Sequence, residues 1–272
     1  QYQAWAFASP CVVIFVNYQQ QLYYESPFSS HLTYPHFGEG IVKETAMQIG
    51  ILGTGIVGQT LGLKLVQLGH SVMIGTRDPS NLDEPKGRGP DAHALRDWLT
   101  LTESRASVVT FRDAAAYGEL VINALSGMVS LDVLQAVGKE NLDGKTLMDV
   151  SNPIDFSRGF PLTLFVKDTD SLGEIIQRSF PNARVVKTLN AMTAALMVNP
   201  KLVGNGDHTV FLSGNDIKAK MQVAELLHEF GWDDILDLGD ISTARGTEMM
   251  LSIGHAVMQA LSPAEIAFKV VR

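Results

Sequence analysis

The stretch "IGILGTGIVGQTLG", residues 49–62, combines a short apolar run, three glycines at GxGxxG spacing and the start of a helix-length segment. "MQIGIL" (47–52) reads as a buried strand, and "IVGQTLGLKLVQLG" (56–69) as a helix closed by Gly69. Glycines at this spacing between strand and helix have separate tasks. Gly53 permits the tight turn, Gly55 leaves space for a pyrophosphate to approach the backbone, and Gly58 lets helix and strand pack closely. The pyrophosphate would rest on unpaired amides at the helix N-terminus, where the dipole also favours negative charge. Glycines alone can be simple turn residues; the strand before them and the helix after them make this stretch a dinucleotide-binding fingerprint.

The end of the next strand, "SVMIG" (71–75), selects the dinucleotide. A NAD-preferring site usually carries Asp or Glu there to accept hydrogen bonds from the adenosine ribose. Here the chain reads "VMIGTRDP": Gly75 holds the expected acidic position, and Thr76 and Arg77 follow with a hydroxyl and a guanidinium suited to the extra phosphate of NADP(H). A strand boundary one or two residues later would bring Asp78 to the ribose, as in a NAD site, but its place before Pro79 suits a turn better.

Further apolar runs continue the alternation. Strands are expected at "SVVTF" (107–111), "LVINAL" (120–125), "TLMDV" (146–150), "RVVKTL" (184–189), "HTVFLSG" (208–214) and "DILDLG" (234–239). Helices are expected around 92–103, 216–230 and 242–261. Apolar runs spaced by crossover helices indicate a Rossmann-type, doubly wound α/β fold with a mostly parallel sheet. A small C-terminal α/β domain should follow it, with 47–190 as the dinucleotide-binding domain and 191–272 as the smaller one. Open sheets of this kind bind ligands beyond their C-terminal strand ends. That rule places Ala124, Leu125 and Ser126, and Ser151, Asn152 and Pro153, along the crevice, the small residues leaving room for a flat nicotinamide. From local sequence alone, "SNP" (151–153) reads equally well as a turn after a buried strand.

Residues 1–46 differ from the rest. They hold ten of the aromatic residues, five of the six tyrosines, no Met, no Arg and one Lys. This segment reads as an extension outside the catalytic fold, with Met47 near the natural start; the functional alternative is an aromatic arm that binds a partner. Its apolar patch "CVVIFV" (11–16) is too short to span a bilayer, so no membrane partner is expected.

The net charge of −8 opposes binding to a nucleic-acid backbone. A single cysteine, Cys11, excludes an internal disulfide and fits a reducing, cytoplasmic compartment. The seven histidines show no metal-ligand spacing, so no metal is expected and redox chemistry falls to a cofactor. On the last helix Met250, Ile253, Val257 and Leu261 recur at helical spacing as a core or subunit-packing stripe. Arg245 and Glu248, three apart, read as an ion pair on that helix. No catalytic residue is assigned, including His255.

Four segments in order, "GILGTGIVGQTLGLKLVQLGHSVMIGTRDP", "MDVSNPIDFSRGFP", "DTDSLGEIIQRSFPNARVVKTLNAM" and "LGDISTARGTEMM", resemble the NADP oxidoreductases of the coenzyme F-420-dependent type. The same module is similar to the reductase domain of the STEAP metalloreductases. The resemblance implies an NADP(H)-binding Rossmann domain, a small C-terminal domain, a homodimer, and hydride transfer to a small-molecule electron acceptor such as coenzyme F-420 or a flavin. By position it implies Thr54, Gly55, Ile56 and Val57 at the pyrophosphate, Thr76 and Arg77 at the 2′-phosphate, and Ala124 and Leu125 beside the nicotinamide. Ser151, Asn152, Pro153 and Asn190 would form the floor under the second ring. The last helix and tail match the pattern of deazaflavin reducers least well. A reading from another class is an NADP(H)-sensing or partner-binding protein without turnover.

Overall fold

The structure, a computed structural model, describes residues 12–14, 46–86, 93–103, 105–262 and 265–272. Its centre is an eight-stranded sheet. The strands are β1 (Gln48–Leu52), β2 (Ser71–Thr76), β3 (Ala106–Thr110), β4 (Leu120–Asn123), β5 (Thr146–Asp149), β6 (Arg184–Lys187), β7 (Thr209–Gly214) and β8 (Asp234–Asp237). They lie in the order β3-β2-β1-β4-β5-β6-β7-β8. Every pairing from β3 to β6 is parallel. Strand order reverses between β1 and β4, and such a switch point opens a crevice at the C-terminal strand ends.

The fingerprint helix α1 (Ile56–Gln67) follows β1 as expected. Gly69, at φ 98°, ends it: its amide and that of His70 bond back to Val66 and Leu65 at 3.0 Å. Other helices are α2 (Leu95–Leu101), α3 (Phe111–Tyr117), α4 (Gly127–Val137), α5 (Leu172–Ser179), α6 (Ala194–Val198), α7 (Ile217–Phe230) and α8 (Ala244–Ala260). Alternate strand residues face opposite sides, giving two cores. Ile49, Ile51, Ile122, Met148 and Val186 pack with Leu61 and Leu65 of α1 and with α7. Leu52, Val121, Leu147 and Val185 pack with α3, α4 and α5.

Several strands stop one or two residues short of their apolar runs: 124–125, Val150 and 188–189 leave the sheet to form the loops at the crevice. Leu189, at φ 57°, marks one of these exits. Strands β7 and β8, which follow Asn190, join this same sheet. The 188–208 connection carries only short helical pieces and stays at one end of the sheet, so β7 returns antiparallel on β6, pairing Val186 with Gly214 and Lys187 with Ser213. Strand β8 then adds parallel to β7, and residue 190 falls between neighbouring strands of one sheet.

Of the aromatic-rich first 46 residues, Val12–Ile14 forms a short strand parallel to Phe268–Val270. The rest of that segment, except Ala46, lies outside the described residues, and so do both readings of its role. No helix among the described residues is long and apolar enough to cross a membrane.

Candidate functional site

The three glycines differ in what surrounds them. A Cβ on Gly53, which sits at φ 118°, would meet the Ala124 carbonyl oxygen at 2.5 Å, and one on Gly58 would meet the Gly53 carbonyl oxygen at 2.0 Å. Both positions need glycine so that β1, β4 and α1 can close on one another. Gly55 has ordinary backbone angles, and a Cβ there would meet nothing within 4 Å. It faces open space at the N-terminus of α1, which no side chain caps. Helix geometry leaves its first amides unpaired, and together with the helix dipole they suit an anion. The Gln59 side chain steadies the loop by donating to the Thr54 carbonyl at 2.9 Å.

At the end of β2, a side chain on Gly75 would press on Phe111 Cα at 3.0 Å and Ala114 Cβ at 3.1 Å. The packing of α3 leaves no room there for a ribose-binding carboxylate. Thr76 is buried, and Arg77 is exposed with no ion-pair partner among the described residues. Asp78 accepts from the amide and hydroxyl of Ser80 at 3.0 and 2.6 Å, the geometry of a turn.

A crevice of about 420 Å³ opens at the β1/β4 switch point. Gly55, Ile56 and Val57 form one wall, Ala124–Gly127 the opposite one, and Val150–Asn152 with Ile154 and Phe156 the floor and rim. Loops far apart in sequence are thus brought together. Pro153 and Asn190 do not line the crevice. Asn190 stands behind it, exchanging bonds with Asn152: its carbonyl accepts from Asn152 Nδ2 at 2.8 Å, and its Nδ2 donates to Asn152 Oδ1 at 3.0 Å. Ile56 and Val57 also border a second chamber of about 420 Å³, walled by Met192, Leu251, Gly254, His255, Met258 and Ile266. Each volume lies in the range of small-molecule pockets.

Sequence reasoning missed Gly127, Ile154 and Phe156 at the crevice, and the buried charges below it. Asp149 and Lys187 pair at 2.9 Å with both side chains inaccessible to solvent. They end β5 and β6 just as Asn123 ends β4. Three neighbouring apolar strands with a polar last residue were the available signal.

For α8 one expectation is overturned and another is narrowed, the stripe losing its core reading and keeping the subunit-packing one. Arg245 and Glu248 do not pair: Arg245 reaches across to Glu174, at 2.5 and 2.8 Å, while Glu248 turns inward to Lys187 at 2.8 Å. The core face of α8 is Ala244, Thr247, Glu248, Leu251 and Gly254. On the expected stripe, Ile253 and Leu261 are exposed and Met250 and Val257 half-buried. The polar Thr247 and Glu248 are inside because buried partners satisfy them, which an apolar count does not register.

Residues 48–153 match the family described as NADP oxidoreductase, coenzyme F420-dependent. A crystal structure of an Arthrobacter sp. FB24 protein assigned to the F420-dependent NADP-reductases is 50% identical with a TM-score of 0.78; the match covers 84% of this chain and all of that one. The chain belongs to this family. The F420-dependent NADP reductase of Methanothermobacter marburgensis is 25% identical over 206 residues, 74% of this chain and 88% of that protein. The metalloreductase STEAP3 of Rattus norvegicus is 29% identical over 213 residues, 76% of this chain. The chain spans roughly 40% of the length of the curated metalloreductases it matches.

Proposed function

We propose that the protein is an NADPH-dependent reductase that passes hydride to a diffusible planar acceptor, a deazaflavin such as coenzyme F-420 or a flavin. The observation that carries this reading is the switch-point crevice, where an uncapped α1 N-terminus, an open Gly55 and the Ala124–Gly127 wall with its small side chains meet. NADPH, when bound, supplies a hydride from its nicotinamide. The protein's part is to orient and to exclude water, since hydride transfer needs the two partners held about 3 to 3.5 Å apart and no protein nucleophile.

In this reading Thr54–Val57 hold the pyrophosphate, with Gly53 shaping the turn and Gly58 letting α1 pack against it. Thr76 and Arg77 hold the 2′-phosphate through charge-assisted bonds. Ala124, Leu125, Ser126, Ser151 and Asn152 border the nicotinamide, and Pro153 and Asn190 support that border from behind. The acceptor takes the second chamber, whose shared wall of Ile56 and Val57 sets it beside the first. We further propose a homodimer through the outer face of α8, where Met249, Ile253 and Leu261 are exposed.

The test mixes purified protein and NADPH with deazaflavin, flavin and ferric acceptors and follows the nicotinamide absorbance band. Oxidation with at least one acceptor, faster with NADPH than with NADH, is the expected result. Tight NADPH binding with no oxidation by any of them would overturn the reductase reading in favour of NADP(H) sensing.

A further inference from the structure

The buried charges under the crevice play no part in the chemistry above, yet they tie its walls together. Asn123, Asp149 and Lys187 end three adjacent parallel strands, and Glu248 reaches them from α8. Lys187 Nζ lies 2.9 Å from Asp149 Oδ2 and 2.8 Å from Glu248 Oε1, and donates to the Ser151 carbonyl at 2.6 Å. Asp149 Oδ1 accepts from Asn123 Nδ2 at 2.9 Å, from the Ser151 amide at 3.1 Å and from the Ser151 hydroxyl at 2.7 Å. The Glu248 carboxylate also accepts the Leu172 and Gly173 amides, at 2.8 and 3.0 Å, in the first turn of α5. One residue earlier on α8, the Thr247 carbonyl accepts from Asn190 Nδ2 at 3.0 Å, the same group that holds Asn152.

Two carboxylates around one ammonium leave an excess negative charge in the interior. Donors at the α5 N-terminus and on Asn123 and Ser151 compensate it, so each member is satisfied. Burial alone would lower the pKa of Lys187, but Asp149 and Glu248 hold it above the ordinary lysine value, so the ammonium stays charged. An apolar filling could stabilise such a site equally well. What the ionic version adds is a rigid link between two places. One end is the Ser151–Asn152 backbone at the crevice floor; the other is α8, whose following turns carry Leu251, Gly254, His255 and Met258 into the second chamber.

We infer that Glu248 is a positioning residue: acting through Lys187, it fixes the α8 wall of the second chamber against the Ser151–Asn152 floor of the first. This rests on reading the first chamber as the nicotinamide pocket. Loosening the link should spoil the nicotinamide end of the site and spare the adenosine end, which α1 and the end of β2 build without α8.

The experiment titrates the full chain and its Glu248→Gln variant with two probes, NADPH and 2′,5′-ADP, the latter carrying the phosphate-bearing adenosine half alone. Reduced-nicotinamide fluorescence gives a second readout. Wild type should bind NADPH more tightly than 2′,5′-ADP and enhance its fluorescence. In Glu248→Gln, affinity for 2′,5′-ADP should stay within about twofold, while NADPH affinity falls about tenfold and the enhancement is lost. Glu248→Asp, which restores the charge, should recover part of both. Asn190→Ala cuts the second tie without touching a charge, and should lower the NADPH preference about threefold. An unchanged preference and fluorescence in Glu248→Gln overturn the proposal, whatever the variant's melting temperature. If that variant does not fold, an unchanged preference in Asn190→Ala overturns it. Equal wild-type affinity for the two probes would overturn the nicotinamide-pocket reading and this inference with it; a wild-type preference retained in the variants overturns this inference alone.

Discussion

Gly55 and Gly58 lie three residues apart, at the N-cap and in the first turn of α1, and alanine should affect them in opposite ways. A methyl at 55 enters open space on an ordinary backbone, so Gly55→Ala should keep its melting temperature while crowding the pyrophosphate and weakening NADPH at least tenfold, or about 1.4 kcal/mol. A methyl at 58 strikes the Gly53 carbonyl oxygen, so Gly58→Ala should lose about 1 to 3 kcal/mol of stability to backbone displacement. Thermal melts paired with NADPH titrations separate the two outcomes, and equal losses of stability would refute the distinction. Arg77, exposed beyond β2 with no ion pair among the described residues, gives a complementary prediction. Arg77→Ala should cost NADPH about 1.5 to 3 kcal/mol of binding through the lost phosphate contact and cost NADH little. Equal losses for both cofactors would show that Arg77 does not read the 2′-phosphate. The glycine tasks could be read from the sequence because a strand–turn–helix at that spacing has few geometric solutions. The crowding at Gly75 could not, because it comes from Phe111 and Ala114 on a helix thirty-odd residues away.

Helix α8 shows how periodicity can locate a helix and still leave open which side is inside. Its length was legible, since apolar residues recur at three- and four-residue steps. Its orientation was not, because Lys187 and the α5 amides draw Glu248 inward and leave Ile253 exposed. The outer surface of α8 is therefore an apolar strip on an otherwise acidic chain, and such strips mark association sites. A negative charge placed there should keep an isologous pair of helices apart, because like charges would face across the twofold axis. Ile253→Asp should sediment as a monomer with unchanged secondary structure, against a wild-type dimer. A monomeric wild type would refute the dimer. Arg245, on the flank of the same helix, pairs with Glu174 while about a third exposed, so solvent screens the pair and Arg245→Ala should leave the melting temperature almost unchanged.

The mostly parallel sheet could be anticipated because apolar strands alternating with crossover helices pack in few other ways. The return of β7 could not, since the 188–208 connection contains no crossover-length helix to announce its direction. That return leaves β8 at the edge of the sheet, fastened through Asp234. Asp234 accepts from Thr209 Oγ1 at 2.6 Å, Lys269 Nζ at 3.1 Å and Arg272 at 2.8 Å, and so joins β7, β8 and the segment around Phe268–Val270. Partial burial would raise its pKa, but the bonds from Thr209, Lys269 and Arg272 outweigh that and hold it below the ordinary value. A carboxylate with a depressed folded pKa stabilises the fold above its unfolded pKa, near 4, and loses that contribution as pH falls through the lower folded value. Wild-type melting temperature should therefore fall steeply below about pH 4. Asp234→Asn should be less stable at neutral pH by about 1 kcal/mol, a modest figure because the cluster is partly exposed. Its melting temperature should also depend less on pH in the acid range, so that the two curves converge. Parallel curves down to pH 3 would show that this cluster does not tie the edge strand to the fold.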